Sequence, residues 1–219
     1  MTHRAIRFAD LTARQAYKVM IGTIVPRPIA WVTTRSPEGV INAAPYSFFN
    51  CLSADPPILA LGVENKPDRR FKDTAWNIRS TEVFTVNICD VANVVPMAAT
   101  AAPFPPEVDE LAKAGLTAAP GEVIDCPRIA EAPVAFECRR HVSIAVSGAR
   151  EIVLGRIEMA HIREDIIDPD TYYSDATRLD AIGRMGGEGY CTTRDLFDLP
   201  TPSVAEVEAA WRARTGRAD

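Results

Sequence analysis

The pattern of apolar and polar residues along the chain predicts a protein built mainly from β-strands. Apolar and β-branched residues dominate residues 29–34 and 58–63, and residues 83–89 alternate as a strand, with Val83, Thr85, Asn87 and Cys89 opposite Phe84, Val86 and Ile88. Two longer extended segments, residues 134–147 and 151–163, are separated by a short glycine-containing connection. Because hairpin-like turns join several of these segments, we expect an antiparallel, closed or partly closed sheet, with a Greek-key barrel as the favoured architecture.

Helical periodicity is confined to shorter stretches, which we predict to lie around the sheet as peripheral helices. A helix capped by Asp68 places Phe71, Ala75 and Ile78 on one face, at spacings of four and three residues. Further helices are expected near residues 10–20, at 91–100, at 107–114 and after the capping box Ser203-Val204-Ala205-Glu206. The fold class that follows is mainly β (α+β), with the helices attached to the barrel.

The length and composition of the chain fit one domain. With 219 residues, 47% of them hydrophobic, the chain is long enough to bury one large core. Residues 103–133 are studded with proline and too poor in apolar residues for a separate core, so we interpret them as an excursion over the domain. We therefore predict a single domain over residues 1–219, with a core at about 17–190 and a C-terminal helical extension at about 200–216.

Charge and cysteine usage narrow the class of protein. A net charge of −5 argues against a general nucleic-acid binder, which needs a basic stripe. No apolar run is long enough to cross a bilayer and the first residues lack the apolar centre of a secretory signal, so we expect a cytoplasmic protein without a membrane anchor. The five cysteines are odd in number and widely spaced, which is typical of reduced thiols. The three histidines are scattered, so no metal site is expected.

The candidate chemistry is concentrated in residues 26–81. Within them, residues 43–50 are predicted to form a loop that combines flat apolar surface with hydrogen-bonding groups. Its aromatic residues are Tyr46, Phe48 and Phe49, and its polar residues are Ser47 and Asn50. A bicyclic or tricyclic ligand needs this combination of face contacts and convergent polar groups. The alternative is that these are ordinary core aromatics beside a proline turn.

A basic patch follows the second extended segment of this region. It comprises Lys66, Arg69, Arg70 and Lys72. The predicted helix beside it carries Thr74 in its first turn, and positive charge, a helix start and a hydroxyl together are typical of a phosphate site. The alternative is a solvated helix face. The sequence holds neither a G-x-G-x-x-G nor a P-loop fingerprint, and its spacing supports no serine–histidine–acid arrangement.

Five sequence motifs resemble those of a known protein family. They are, in chain order, PRPIAWVTT, NAAPYSFFN, DPPILALGV, KDTAWNI and RMGGEGY. In this order and spacing they resemble the flavin reductase-like family of FMN-binding split-barrel flavoproteins. The similarity covers about residues 17–190, most of the chain. It is specific to the family and much less specific to the substrate or partner of any one member.

The resemblance implies an antiparallel Greek-key split β-barrel that forms a homodimer, with FMN bound near the interface between the two copies. By this resemblance, the strand residues that border the flavin are Trp31, Val32 and Thr33. The residues expected to contact its ring and ribityl chain are Tyr46, Ser47, Phe48, Phe49 and Asn50. Those expected toward the phosphate are Lys72, Thr74 and Asn77, and those expected to cover the site, from the same or the other subunit, are Arg184, Gly186, Gly187 and Tyr190.

The function implied by the resemblance is that of an NAD(P)H-dependent flavin reductase, which transfers hydride from a nicotinamide to flavin N5. A separate monooxygenase is one candidate recipient of the reduced flavin. Because the hydride chemistry belongs to the flavin and needs no protein acid or base, we nominate no catalytic residue. The alternatives are an FMN-containing electron-transfer protein, similar to flavoredoxin, that does not use NAD(P)H, and a flavin-binding barrel without turnover. The choice of NADH or NADPH, and of bound or diffusible FMN, stays open.

Overall fold

Strands dominate the computed structural model, which describes residues 1–66 and 71–215. In these residues the strands are β1 (Arg27–Pro28), β2 (Ala30–Arg35), β3 (Ile41–Tyr46), β4 (Phe49–Ala54), β5 (Pro57–Glu64), β6 (Val83–Ile88), β7 (Ala118–Ala119), β8 (Arg128–Ile129), β9 (Val134–Ser147), β10 (Arg150–Ile162), β11 (Ile182–Arg184) and β12 (Tyr190–Thr192). The helices are α1 (Ala13–Thr23), α2 (Asp73–Thr81), α3 (Val94–Ala99), α4 (Glu110–Lys113), α5 (Ala176–Leu179) and α6 (Val204–Thr215). Short 3-10 helices cover Phe8–Asp10 and Val91–Asn93.

Seven of the strands form one antiparallel sheet in the order β3-β2-β6-β9-β10-β5-β4. Its two edge strands, β3 and β4, are consecutive in the chain and are separated only by Ser47 and Phe48. A flat sheet of this size is roughly 29 Å wide, whereas a two-residue link reaches about 10 Å, so the sheet must curl until its edges meet. The result is a barrel split between β3 and β4, and the prediction of an antiparallel split β-barrel with peripheral helices is confirmed.

Strand β2 is buried on both faces and separates two apolar clusters. Val32 faces the barrel interior, where it belongs to the same cluster as Phe84. Trp31 faces the opposite side and belongs to a second cluster with Met97 and Leu111. Because Met97 lies in α3 and Leu111 in α4, the segment from α3 to α4 covers the outer face of the barrel.

The carboxylate of Glu137 fastens the later part of the excursion to the barrel. It lies on β9, is fully buried, and accepts hydrogen bonds of 2.7, 2.9 and 3.0 Å from the backbone N–H groups of Glu122, Val123 and Ile124. The Nε2 atom of His161 lies 2.6 Å from it. Burial alone raises the pKa of Glu137, but these hydrogen bonds outweigh burial and hold the pKa below its usual value. The excursion is therefore packed on the barrel rather than folded apart from it.

The loop predicted at residues 43–50 is wrong in its extent. Residues 43–46 belong to β3 and Phe49 begins β4, so only Ser47 and Phe48 connect the two strands. Pro45 favoured a loop in the sequence because proline cannot donate a hydrogen bond to a neighbouring strand. Since β3 is an edge strand, it accommodates Pro45 without losing a hydrogen bond to a second neighbour.

The two helices nearest the candidate chemistry begin later than the sequence pattern predicts. Helix α2 begins at Asp73 with Lys72 as its N-cap, and the predicted cap Asp68 lies outside the described residues. Helix α4 is shorter than the predicted range 107–114 because Asp109 caps it, accepting a hydrogen bond of 3.0 Å from its first turn. The existence of both helices is confirmed.

The C-terminal extension leaves the barrel after β12. Helix α6 begins at the predicted capping box, where the hydroxyl of Ser203 accepts a hydrogen bond of 3.3 Å from the backbone N–H of Glu206. Every residue from 194 to 215 is exposed, including the large apolar side chains of Phe197 and Trp211. Exposed apolar side chains in such density are typical of a segment that packs against another surface.

Candidate functional site

A cavity of about 890 Å³ lies beside the barrel, between the edge strand β3 and the start of α2. Its volume is within the range of small-molecule and cofactor sites. We call it the β3–α2 cavity. Its lining residues are Asn42, Ala44, Pro45 and Tyr46 of β3, Glu64, Asn65 and Lys66 at the end of β5, Lys72, Asp73 and Thr74 at the start of α2, Ala149, and Thr100, Ala101, Ala102, Pro103, Phe104 and Glu110 of the segment between α3 and α4.

The start of α2 presents hydrogen-bond donors to this cavity. Its N-cap is Lys72, and no side chain caps the helix in the part of the chain that the structure describes. The first N–H groups of a helix have no partner within the helix, and the helix dipole adds partial positive charge at this end. Thr74 lies in the first turn and is 1% exposed. The amine of Lys72, the hydroxyl of Thr74 and the backbone donors are the types of group that bind anions at helix N-termini.

The predicted basic patch is described only in part. Lys66 lies on the cavity wall, where its Nζ atom is 3.1 Å from Oδ1 of Asp73. Lys72 lines the same wall. The other two members of the patch, Arg69 and Arg70, lie outside the described residues. Two cations of the patch thus reach the cavity, one of them paired with a carboxylate.

Asn65 contributes a buried acceptor to the cavity. Its position is fixed because Nδ2 donates to the carbonyl oxygen of Gly148 at 3.3 Å and its backbone N–H donates to that of Ala149 at 2.9 Å. Its Oδ1 atom is buried and has no hydrogen-bond partner among residues 1–66 and 71–215. An unsatisfied buried acceptor costs about 1–3 kcal/mol. A hydroxyl or N–H group of a bound molecule would remove this cost.

Glu110 adds a carboxyl group to another wall of the cavity. Its side chain is 8% exposed, and Oε2 accepts a hydrogen bond of 2.6 Å from the backbone N–H of Ala43. Burial raises the pKa of Glu110 to about 7, the bond from Ala43 opposes this rise, and the negative charges of Asp73 and Asp109 reinforce it. Glu110 therefore exchanges a proton near neutral pH.

The amide of Asn42 connects Glu110 to the start of α2. One terminal atom of this amide lies 2.9 Å from the hydroxyl oxygen of Thr74, and the other lies 3.3 Å from Oε2 of Glu110. An amide offers a donor on one side and an acceptor on the other. Whichever way the amide of Asn42 is turned, it hydrogen-bonds to Thr74 and lies against Glu110.

A smaller cavity of about 170 Å³ adjoins the first at the split of the barrel. Ser47 and Phe48 line it together with Tyr17 of α1, whose ring centre lies 6.1 Å from that of Phe48. The residues shared by both cavities are Pro45, Tyr46, Glu64 and Lys72. Burial raises the pKa of Tyr46 despite a hydrogen bond with Thr74, so its phenol stays protonated over the physiological range.

The predicted residues of β2 lie behind the cavity rather than on its surface. Trp31, Val32 and Thr33 are fully buried. The Nε1 atom of Trp31 donates to the hydroxyl of Thr100 at 3.0 Å, and the hydroxyl of Thr33 donates to the carbonyl oxygen of Pro127 at 2.5 Å. Since Thr100 lines the cavity, Trp31 holds one of its walls from behind.

Three further predicted residues do not line either cavity in the described structure. Asn77 is buried on α2 and its Nδ2 atom donates to the hydroxyl of Thr34 at 3.0 Å, which ties the helix to β2. Phe49 packs against the barrel core. Asn50 is exposed, and its Oδ1 atom accepts a hydrogen bond of 2.8 Å from the next backbone N–H.

The RMGGEGY motif forms a compact unit around β11 and β12. The guanidinium of Arg184 lies 4.4 Å from the ring centre of Tyr190 and donates to the carbonyl oxygen of Gly187 at 2.7 Å. Gly187 has a φ of 62°, a left-handed conformation that favours glycine. A Cβ atom on Gly186 would lie 3.2 Å from the Cα atom of Gly22 in α1. Among the described residues that line the two cavities, none belongs to this motif.

Arg27 connects the RMGGEGY motif to the split of the barrel. Its side chain is 7% exposed and donates to two carbonyl oxygens at the end of α1, at 2.7 and 2.8 Å. It also donates to the carbonyl oxygen of Met185 at 3.0 Å, and its Nε atom lies 3.4 Å from Oγ of Ser47. The motif is thus held near Ser47 by one buried cation.

Sequence reasoning missed several residues that line the cavity, among them Asn42, Asn65, residues 101–104 and Glu110. Asn42 opens the quoted motif NAAPYSFFN, and Asn65 directly precedes Lys66 at the end of a predicted strand, so local signals for both were present. Glu110 lies in an irregular, proline-rich stretch, and no local pattern distinguishes it from its acidic neighbours. Only the packing of α4 against β3 brings it to the cavity.

Comparison with known proteins identifies the family. Residues 21–180 match the family described as flavin reductase like domain. The chain belongs to the flavin reductase-like family. An uncharacterized protein of Deinococcus radiodurans is 37% identical to it over 220 residues, which cover 98% of this chain and 96% of that protein.

Two solved structures are similar over nearly the whole chain. Component B of nitrilotriacetate monooxygenase from Bacillus cereus has a TM-score of 0.87 and 33% identity, over 91% of this chain and 100% of that one. The 2-nitrobenzoate 2-nitroreductase NbaA of Pseudomonas fluorescens has a TM-score of 0.85 and 36% identity, over 92% and 98% respectively. Family membership supports a flavin-binding oxidoreductase as the class of this protein.

Two other kinds of feature are absent from the described residues. Within residues 1–66 and 71–215, none of the helices combines the length and the apolar character needed to span a membrane. The same ranges contain no group of three or more histidine, cysteine, aspartate or glutamate side chains arranged to hold a metal ion.

Proposed function

We propose that this chain binds FMN in the β3–α2 cavity and acts as an NAD(P)H-dependent flavin reductase. The observation that carries the proposal is the start of α2, where backbone donors, Lys72 and Thr74 face a cavity that also holds the unpaired Oδ1 atom of Asn65. A phosphate group matches the donors, and a chain of hydroxyl groups matches the acceptor. FMN carries both groups, so the residues present fit it.

The fit assigns a part of the ligand to each group of residues. The start of α2, with Lys72 and Thr74, would hold the phosphate, and Asn65 would accept from a ribityl hydroxyl. The flavin ring would lie toward the split of the barrel, where Tyr46, Ser47 and Phe48 offer flat surface and a hydroxyl. No described residue among these is spaced as a nucleophile and base pair, which suits chemistry carried by a cofactor.

The buried members of the predicted site would support the cavity without touching the ligand. Trp31 holds Thr100, Asn77 holds α2 against β2, and Val32 and Thr33 fix the strand on which β3 rests. Phe49 and Asn50 would act in the same way on β4, which begins beside the two-residue link. We assign these side chains a supporting role rather than contact with the ligand, because none of them lines either cavity.

When bound, the flavin would supply a ring that accepts a hydride from a nicotinamide. The tasks left to this chain are to hold the phosphate, to orient the ring at the split and to exclude water from its inner face. The phenol of Tyr46 stays protonated, because its burial raises the pKa, so it is a neutral partner of Thr74 and places no negative charge beside the ligand. No proton transfer from the chain is required, and no catalytic acid or base is assigned.

We propose a homodimer as the functional form. The tip of the β9–β10 hairpin supports it: Val142, Ile144 and Val146 of β9 are 39%, 47% and 60% exposed and alternate on one face. A second copy would cover this face. It would also allow Arg184, Gly186, Gly187 and Tyr190 to approach a cavity that they do not line within their own chain.

A monooxygenase is the proposed recipient of the reduced flavin. The support is the similarity to a structure named component B of nitrilotriacetate monooxygenase, at 33% identity over 91% of this chain. Component B is the role of that protein and not of this one. The proposal therefore names the class of partner and no particular substrate.

Anaerobic mixing of the FMN-loaded protein with NADH, and separately with NADPH, tests the proposed activity. We expect the visible absorbance of the flavin to bleach with at least one nucleotide, much faster than it does for free FMN under the same conditions. Bound FMN that neither nucleotide bleaches contradicts the reductase and favours an electron-transfer protein. Failure to bind FMN contradicts the assignment of the cavity itself.

A further inference from the structure

Glu110 is the buried titratable group of the β3–α2 cavity that the proposed function does not use. We propose that Glu110 takes up a proton when the phosphate group of the ligand binds. The amide of Asn42 then turns over, and its hydrogen bond with Thr74 reverses direction. The inference rests on the proposed phosphate site at the start of α2. It makes the affinity for the anionic ligand depend on pH. Lys72 and the helix dipole alone would not give this dependence.

The geometry permits two states of the Glu110–Asn42–Thr74 relay. When Glu110 is ionised, it can only accept, so Nδ2 of Asn42 turns toward it and Oδ1 of Asn42 accepts from the hydroxyl of Thr74. When Glu110 is protonated, Oε2 donates to Oδ1 of Asn42, and Nδ2 of Asn42 donates to the oxygen of Thr74, which lies 2.9 Å away. The amide of Asn42 turns over, which exchanges its terminal N and O atoms, and the heavy atoms of Glu110 and Thr74 stay in place.

The two states differ in what Thr74 offers to an anion. In the ionised state the hydroxyl proton of Thr74 is committed to Asn42, so only its oxygen lone pairs face other groups. In the protonated state both Asn42 and the neutral phenol of Tyr46 donate to the oxygen of Thr74, so the hydroxyl proton of Thr74 is free for a phosphate oxygen. One proton from solvent is bound at Glu110 and no other atom is gained or lost. The protonated state therefore adds a donor and removes a negative charge from the cavity.

The charged and titratable groups around Glu110 determine how readily it takes up a proton. They are Tyr46 on β3, Lys72 and Asp73 on α2, Glu64 and Lys66 at the end of β5, and Asp109 on its own helix. Asp73 and Asp109 raise the pKa of Glu110, with burial as the largest cause, to about 7 in the free protein. A dianionic phosphate would raise this pKa further. At pH 8, where Glu110 is mostly ionised, binding must then be accompanied by proton uptake.

Calorimetric titration with FMN at pH 8, in two buffers with different ionisation enthalpies, counts the protons taken up. We expect wild-type protein to take up close to one proton per FMN at pH 8 and few at pH 6, where Glu110 is already protonated. The FMN affinity of the wild type should be about five- to tenfold weaker at pH 8 than at pH 6. The phosphate itself ionises near pH 6, which acts in the opposite direction because the site prefers the dianion.

The variant Glu110→Gln separates the relay from the rest of the cavity. Its amide is neutral and cannot titrate, so we expect FMN to bind at pH 8 without proton uptake and without the weakening that the wild type shows between pH 6 and pH 8. The control Glu107→Gln removes an exposed charge from the same segment and should behave like the wild type. Riboflavin, which lacks the phosphate, should bind without proton uptake.

The outcomes distinguish this inference from the proposed function. FMN binding without proton uptake by the wild type at pH 8 overturns the relay and leaves the FMN site standing, whether or not the Glu110→Gln protein folds. Equal uptake with riboflavin, or unchanged uptake in Glu110→Gln, also overturns it. A wild type that binds no FMN contradicts the proposed function itself.

Discussion

The two sides of the β3–α2 cavity differ in origin and in chemistry. One side, formed by β3, the end of β5 and the start of α2, carries Lys66, Lys72 and the helix donors. We call it the barrel wall. The other, formed by residues 100–104 and Glu110, carries apolar side chains and a carboxyl group, and we call it the excursion wall. The barrel wall is suited to bind an anion and the excursion wall to control when it binds.

The comparison shows how one cavity can combine strong anion binding with dependence on pH. A site made only of lysines and helix donors stays cationic over the physiological range, since neither group titrates near neutral pH. Glu110 lies within one bridging amide of Thr74 and does titrate there, because its burial raises the pKa to about 7. Under the proposed relay, the excursion therefore controls ligand binding in addition to covering the barrel.

The largest expected effect comes from removing the anion site of the barrel wall. The double variant Lys72→Ala with Thr74→Ala should weaken FMN binding about 100-fold, because two charge-assisted or buried hydrogen bonds to phosphate are lost. The stability of the apoprotein should fall by only about 1 kcal/mol, mainly through the lost contact with Asn42. Fluorescence titration with FMN and thermal unfolding measure the two quantities.

Matched controls make this result specific to the phosphate. Riboflavin affinity should change much less than FMN affinity in the same protein. The variant Lys18→Ala with Thr201→Ala, which removes the same groups from exposed positions, should bind FMN like the wild type. Equal losses for FMN and riboflavin would show that the barrel wall holds the ring instead.

The next effect is structural and concerns the excursion wall. Thr100→Val keeps the shape of the side chain but leaves the buried Nε1–H of Trp31 without an acceptor. We expect a loss of about 2 kcal/mol of stability, or a fall of about 4–8 °C in the unfolding temperature. FMN affinity should stay within about threefold of the wild type. A loss of affinity as large as in the double variant would mean that the excursion wall binds the ligand directly.

The smallest effect concerns the stability of the free protein as a function of pH. The pKa of Glu110 is raised in the folded state, to about 7, so folding binds a proton and stability falls as pH rises from about 4.5 to 7. Glu110→Gln lacks this loss. Its unfolding temperature, relative to that of the wild type, should therefore rise by about 2–4 °C between pH 6 and pH 8, the change that roughly 1 kcal/mol produces. A constant difference across this range would contradict the buried carboxylate.

The barrel wall could be predicted from sequence in most of its parts, and the reason is that its signals are local. The continuous apolar run of β5 and the existence of the helix that carries Thr74 each follow from neighbours along the chain. The errors in this wall were the start of α2, which lies later than predicted, and the extent of the loop at residues 43–50. The second error concerns Pro45, whose tolerance depends on β3 being an edge strand, which is a property of the whole sheet.

The excursion wall could not be predicted because its determinants are distant in sequence. The contact of Glu110 with Ala43 spans 67 residues, and that of Trp31 with Thr100 spans 69. Irregular segments carry no periodicity that indicates which side chain faces inward. The role of Arg27 could not be predicted for the same reason, since its hydrogen bond to Met185 spans 158 residues. Its sequence neighbours indicated only an extended segment between two prolines.

The most direct test of the cavity assignment is a crystal structure of the protein with FMN. We expect the phosphate oxygens within hydrogen-bond distance of the backbone N–H groups at the start of α2 or of the hydroxyl of Thr74, with a ribityl hydroxyl near Oδ1 of Asn65. A phosphate bound elsewhere, with the start of α2 left to solvent, would contradict the FMN site and with it the role proposed for Glu110.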